Sequence, residues 1–131
     1  MCLISVKPNG VELPSKHYLK NGYENNSDGM GVVHWKKGKM LHIKKDFDSF
    51  QSFYNYLRDN IKKEDVAVIH FRLATHGLKD KGNRHPFPIT KNINLLRKVE
   101  LYCKNAVAHN GVIGGYDHKK LSDTQKFIID I

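Results

Sequence analysis

No apolar stretch of this chain approaches the ~20 residues that a membrane-spanning helix needs, so none of its 131 residues suggests one. The N-terminus also lacks a positive segment followed by an apolar core. CLISV is soon broken by Lys7, Pro8, Asn9 and Gly10, and no secretory signal is visible. A cytoplasmic protein is the expectation. Cysteine is scarce: Cys2 and Cys103 can pair in principle, but two cysteines in a cytosolic chain are more often reduced thiols. GxGxxG and GxxxxGK[ST] are both missing, which removes the motif basis for a dinucleotide or nucleoside triphosphate site. HExxH and CxxC are missing too. His70, His76, His85 and His109, the plausible ligands among eight histidines, therefore have no metal-site spacing behind them. Neither metal nor cofactor is expected.

Acidic residues are the other shortage, 13 against 22 basic ones, for a net charge of +9. Such a balance favours polyanions through phosphate neutralisation. The lysines are scattered, however, and their densest cluster, Lys36, Lys37, Lys39, Lys44 and Lys45, falls in an expected hairpin. Alternating lysines there are more often an outward, aggregation-blocking face, and a dedicated nucleic-acid site is not favoured.

What is present fits one domain over residues 1–131, with 40% hydrophobic and 10% aromatic residues. A domain of this size buries roughly two-thirds of the surface its unfolded chain exposes. CLISVK reads as a short strand ending at Pro8-Asn9-Gly10. A polar, loop-like stretch runs to NNSDG, after which GVVHWK and MLHIKK flank Lys37-Gly38 as a hairpin. Phe47, Phe50, Phe53, Tyr54, Leu57 and Ile61 recur at three- and four-residue spacing, the mark of an amphipathic helix burying an aromatic stripe. DVAVIHFRLA has the length and β-branching of a buried strand and delivers Arg72 at its end. THGLKDKGNRHPFPIT is loop-like, KNAVAHNGVIGGY returns to strand character, and Ser122 with Gln125 forms a capping box opening a helix. The class expected is α+β.

A cysteine at position 2 permits chemistry that needs no histidine. Removal of Met1 would leave Cys2 with both a thiol and an α-amine, and an α-amine titrates near ~7.7–8, low enough to accept a proton at neutral pH. One residue would then be nucleophile and base. Attack on an amide further requires oxyanion donors and groups that hold the substrate.

HFRLATHG (70–77), NRHPFPI (83–89), AHNGVI (108–113) and SDTQ (122–125), with MC at the start, resemble in order the motifs of class II glutamine amidotransferases, a family of N-terminal nucleophile (Ntn) hydrolases. SDGMG at 27–31 resembles a glycine-bearing strand entry of that family. Together these motifs span residues 2–125.

The resemblance implies Cys2 as nucleophile with its own amine as base, and Arg72 holding the α-carboxylate of glutamine. It implies Asn110 and Gly111 as oxyanion donors and Asp123 as acceptor of the substrate amine. Thr75, His76 and Gly77 would line the glutamine pocket, and His85 and Pro86 would shape a neighbouring loop. Cys103 matches nothing and is expected to pack. The implied fold is an αββα sandwich of two mainly antiparallel sheets, incomplete at its C-terminus in this chain, which would call for an acceptor protein or self-association. The implied reaction is glutamine hydrolysis to ammonia through a glutamyl thioester. The rival expectation is an inactive amidotransferase-like protein that binds a protein or nucleic acid through its basic surface.

Overall fold

The structure, a computed structural model, describes residues 2–74 and 78–131. In chain order the elements are β1 (Leu3–Lys7), α1 (Lys16–Asn25), β2 (Gly29–Trp35), β3 (Leu41–Lys44), α2 (Phe50–Asn60) and β4 (Val66–Arg72), followed by a 3-10 turn at Lys81–Asn83. Then come β5 (Phe87–Pro88), α3 (Ile93–Leu96), β6 (Glu100–Cys103), β7 (Ala106–Val107) and α4 (Asp123–Asp130). The class is α+β, as expected. Five antiparallel strands form one sheet in the order β1-β4-β2-β3-β6, and β5 pairs with β7 in a second, two-stranded sheet.

Alternation along β4 builds the layers. Ala67, Ile69 and Phe71 join Met30 and Val32 of β2 in a core completed by Leu19 of α1 and by Phe50, Phe53 and Leu57 of α2. The aromatic stripe thus does pack, with Phe47 and Ile61 buried just outside the helix it forms. His70 and Arg72, one residue out of phase, belong to the opposite face. There His85 stacks on His70 with ring centroids 4.2 Å apart, and the second sheet follows at Phe87. Leu96 of α3 and Ile128 of α4 close a smaller core around Phe87, with Val107 and Ile129 against it. Packing therefore runs from α1 and α2, through the large sheet, to β5–β7 and on to α3 and α4. Among the described residues no helix is long and apolar enough to cross a membrane.

Three expectations need correction. The stretch before NNSDG is not all loop: Ser15 caps α1 by accepting from the Tyr18 N–H at 3.3 Å. Gly22 lets that helix approach the sheet, since a Cβ there would meet Leu3 and Phe71 side chains at 2.7 and 3.0 Å. The hairpin lysines are not all outward either. Lys45 is fully buried, its ammonium donating to the carbonyls of Arg84, Pro86 and Leu96 at 2.8, 3.2 and 3.3 Å. Burial, reinforced by the charges of Arg97 and Arg72, lowers its pKa to about 7. Finally, strand character in KNAVAHNGVIGGY is confined to Ala106–Val107.

Candidate functional site

Pairing of β1 with β4 sets Leu3 opposite Phe71, which brings the preceding residue, Cys2, beside the end of β4. The half-buried Cys2 thiol donates to the Leu73 carbonyl at 3.4 Å, and the Leu73 N–H points back at Sγ from 3.3 Å. Arg72, the last residue of β4, is buried and donates through Nη1 to the Leu78 carbonyl at 2.7 Å. Burial lowers its pKa from the usual arginine value.

Asp28 ties the same corner together. Its N–H donates to the Arg72 carbonyl at 2.8 Å, while its carboxylate accepts from the Ala74 N–H at 2.8 Å and faces Lys79 at 3.6 Å. Within SDGMG only the glycine character drew notice, although an acid directly ahead of a glycine-opened strand was the available signal.

Asp123 is the first residue of α4, behind a complete Ser122–Gln125 capping box. It is buried, and its carboxylate accepts from the N–H groups of Ile113 at 2.6 Å and Thr124 at 2.8 Å. An ionised carboxylate offers about four acceptor positions, so these bonds leave capacity for a further donor. Gly111 has φ +129°, a conformation that side-chain-bearing residues rarely adopt. A Cβ there would meet only the His109 ring, at 3.5 Å or more, so conformation rather than space demands glycine.

Cys2, Arg72, Gly111 and Asp123 line one cleft, together with Leu73, Ala74, His85, His109 and Ser122. Its free volume is about 20 Å³, roughly what one water needs, so an amino-acid side chain would have to part these walls. Asn110 is exposed and outside the lining, whereas its neighbour Gly111 is within it. Thr75, His76 and Gly77 lie outside the described residues. A far larger groove of about 680 Å³ follows β6, but its walls, which include Ile89, Leu95, Leu101, Tyr102 and Cys103, hold none of the residues singled out from the sequence for chemistry.

His70, His85 and His109 do come together, as a hydrogen-bonded group rather than as ligands. His70 Nε2 bonds the His109 carbonyl at 3.3 Å and His85 Nδ1 accepts from the His109 N–H at 3.1 Å. Burial lowers the pKa of His70 to about 4 and that of His85 well below the usual histidine value, aided by His70, Lys45 and Arg72 beside it. Both rings are neutral at pH 7. Among the described residues no cluster of His, Cys, Asp or Glu is arranged to hold a metal ion. Compared with protein-family models, curated proteins and solved structures, the chain matches none.

Proposed function

We propose that this chain is an N-terminal cysteine amidohydrolase of the class II glutamine amidotransferase kind, with the Ntn-hydrolase αββα fold. One observation carries the reading: Cys2, Arg72, Gly111 and Asp123, from four separate parts of the sequence, border a single cleft. The succession of helices, sheet, sheet and helices supports the fold. In the reaction, the Cys2 α-amine freed by removal of Met1 takes the thiol proton, and Sγ attacks the side-chain carbonyl carbon of glutamine. Gly111 N–H and the Asn110 side-chain amide, once turned inward, stabilise the resulting oxyanion. The C–N bond breaks as the amine returns its proton, ammonia leaves, and water then hydrolyses the thioester to glutamate.

Arg72 suits the α-carboxylate because its planar guanidinium can donate two parallel hydrogen bonds. Asp123 suits the α-ammonium. Holding both ends of the amino acid fixes the reacting carbonyl over the sulfur. The ammonia acceptor would be a separate protein, or further chain.

The narrowness of the cleft favours a second reading, a non-catalytic relative that binds a partner through its basic surface. Ammonia release from glutamine by wild type and Cys2→Ala separates the two. Cys2-dependent release is expected; its absence, with Met1 shown by intact mass to be removed, would sink the enzymatic reading.

A further inference from the structure

Every backbone group of His109 that could hydrogen-bond is held by a buried imidazole. His85 Nδ1 accepts from the His109 N–H at 3.1 Å, and His70 Nε2 lies 3.3 Å from the His109 carbonyl. Because a carbonyl can only accept, His70 carries its proton on Nε2; because an N–H can only donate, His85 is bare at Nδ1. The two rings are stacked, with centroids 4.2 Å apart and planes 16° from parallel. His70 and His85 are 1% and 6% exposed.

This pair is itself supported from below. A Cβ on Gly31 of β2 would overlap the His85 carbonyl oxygen, so glycine is what admits the histidine's backbone against the sheet. The Lys45 ammonium holds the carbonyls on either side of it, those of Arg84 and Pro86, at 2.8 and 3.2 Å. Phe87 closes one flank of the ring at a centroid distance of 4.6 Å. A chain of fixed contacts therefore runs from Gly31 and Lys45 through His85 to His109. One residue further stands Asn110, exposed and outside the cleft lining, and two further Gly111, within it.

We propose that His70 and His85 are positioning residues: their stacked rings grip the His109 peptide groups and so hold the Asn110–Gly111 segment in register, keeping the Gly111 N–H at the cleft. The inference rests on the amidohydrolase reading for its catalytic consequence, but the grip is a property of the protein alone and is tested separately from it. Each ring has a conservative mimic. Asparagine offers an acceptor oxygen close to where His85 Nδ1 stands, and glutamine offers a donor amide close to His70 Nε2. Leucine offers neither.

The first measurement is the scalar coupling across the hydrogen bond from the His109 backbone nitrogen to His85 Nδ1 in the 15N-labelled full chain. Coupling is expected, and its absence would overturn the proposal. The second compares His85→Leu with His85→Asn, and His70→Leu with His70→Gln, by glutaminase kinetics and by the order parameter of the Gly111 amide. The leucine variants should lower kcat about a hundredfold, the size of loss that a small misplacement of reacting groups brings. KM should stay near its wild-type value, the Gly111 amide should loosen, and the amide-bearing variants should recover both readouts. If the paired variants behave alike, or if Gly111 stays equally ordered in all of them, the grip does not position the donors. A wild type without Cys2-dependent turnover would remove the amidohydrolase reading alone, leaving the coupling and the Gly111 order parameter to decide this one.

Discussion

Arg72 is where charge and shape can be told apart. Lysine would keep the charge but lose the two-pronged donor set, so Arg72→Lys should raise KM for glutamine about tenfold, the equivalent of one charge-assisted hydrogen bond at about 1.5 kcal/mol. Steady-state kinetics with kcat and KM resolved would check it, an unchanged KM speaking against a carboxylate on Arg72. Gly111 offers a different experiment, because its φ of +129° leaves any other residue strained. Gly111→Ala should destabilise the fold by about 1–3 kcal/mol and also lower kcat, read from denaturant midpoints and turnover in parallel. That glycine was visible in the sequence as part of HNG. Its left-handed-side backbone was not, since an Asn-Gly pair serves ordinary turns equally well.

Among the elements, α2 is the best determined by local pattern. Phe53 is fully buried and meets Phe47 and Phe71 edge-on, with centroids 4.9 and 5.6 Å away. Phe53→Ala should cost about 3–5 kcal/mol through lost transfer energy and the cavity left behind. Chemical denaturation would measure it, and a loss under 1 kcal/mol would mean that α2 does not pack as described. The apolar period made this helix legible, and the structure adds a Ser49–Ser52 capping box at its start. In α1, by contrast, only Leu19 and Gly22 are buried, too sparse a stripe to stand out. Strand β6 escaped for the opposite reason: Glu100–Cys103 is short, and it is strand because β3 offers an edge, Leu41 through Lys44 facing Cys103 through Glu100.

For the molecule as a whole, the buried histidines couple stability to pH. The unfolded chain binds a proton at each histidine near pH 6.5, whereas folded His70 does so only near 4 and His85 also well below 6.5. The groups around them, Lys45, Arg72 and His109, are basic and give no counter-charge. Their folded-state pKa values are depressed, so the stability they contribute is complete above 6.5 and declines as pH falls toward about 4. The slope is up to about 1.4 kcal/mol per pH unit for each such histidine. Melting temperatures across pH 4–8 should therefore fall steeply on the acid side. In His85→Asn the slope should be shallower, and an unaltered profile would show that His85 does not titrate late.

Local information settled β1, the β2–β3 hairpin, α2, β4 and α4, because alternation, helical period and caps act over a few neighbouring residues. It also singled out Cys2 by its position, and Arg72, Gly111 and Asp123 by resemblance. Contacts distant in the chain settled the rest. Lysine at position 45 reads as solvent-facing until three carbonyls from residues 84–96 converge on it. Cys2 meets Leu73 only because β1 adds to the edge of β4, and Gly111 and Asp123 reach the same cleft only because β5–β7 and α4 stack on the far face of that sheet. Such placements follow from which surfaces bury one another, a property of the assembled layers that no short stretch of residues encodes.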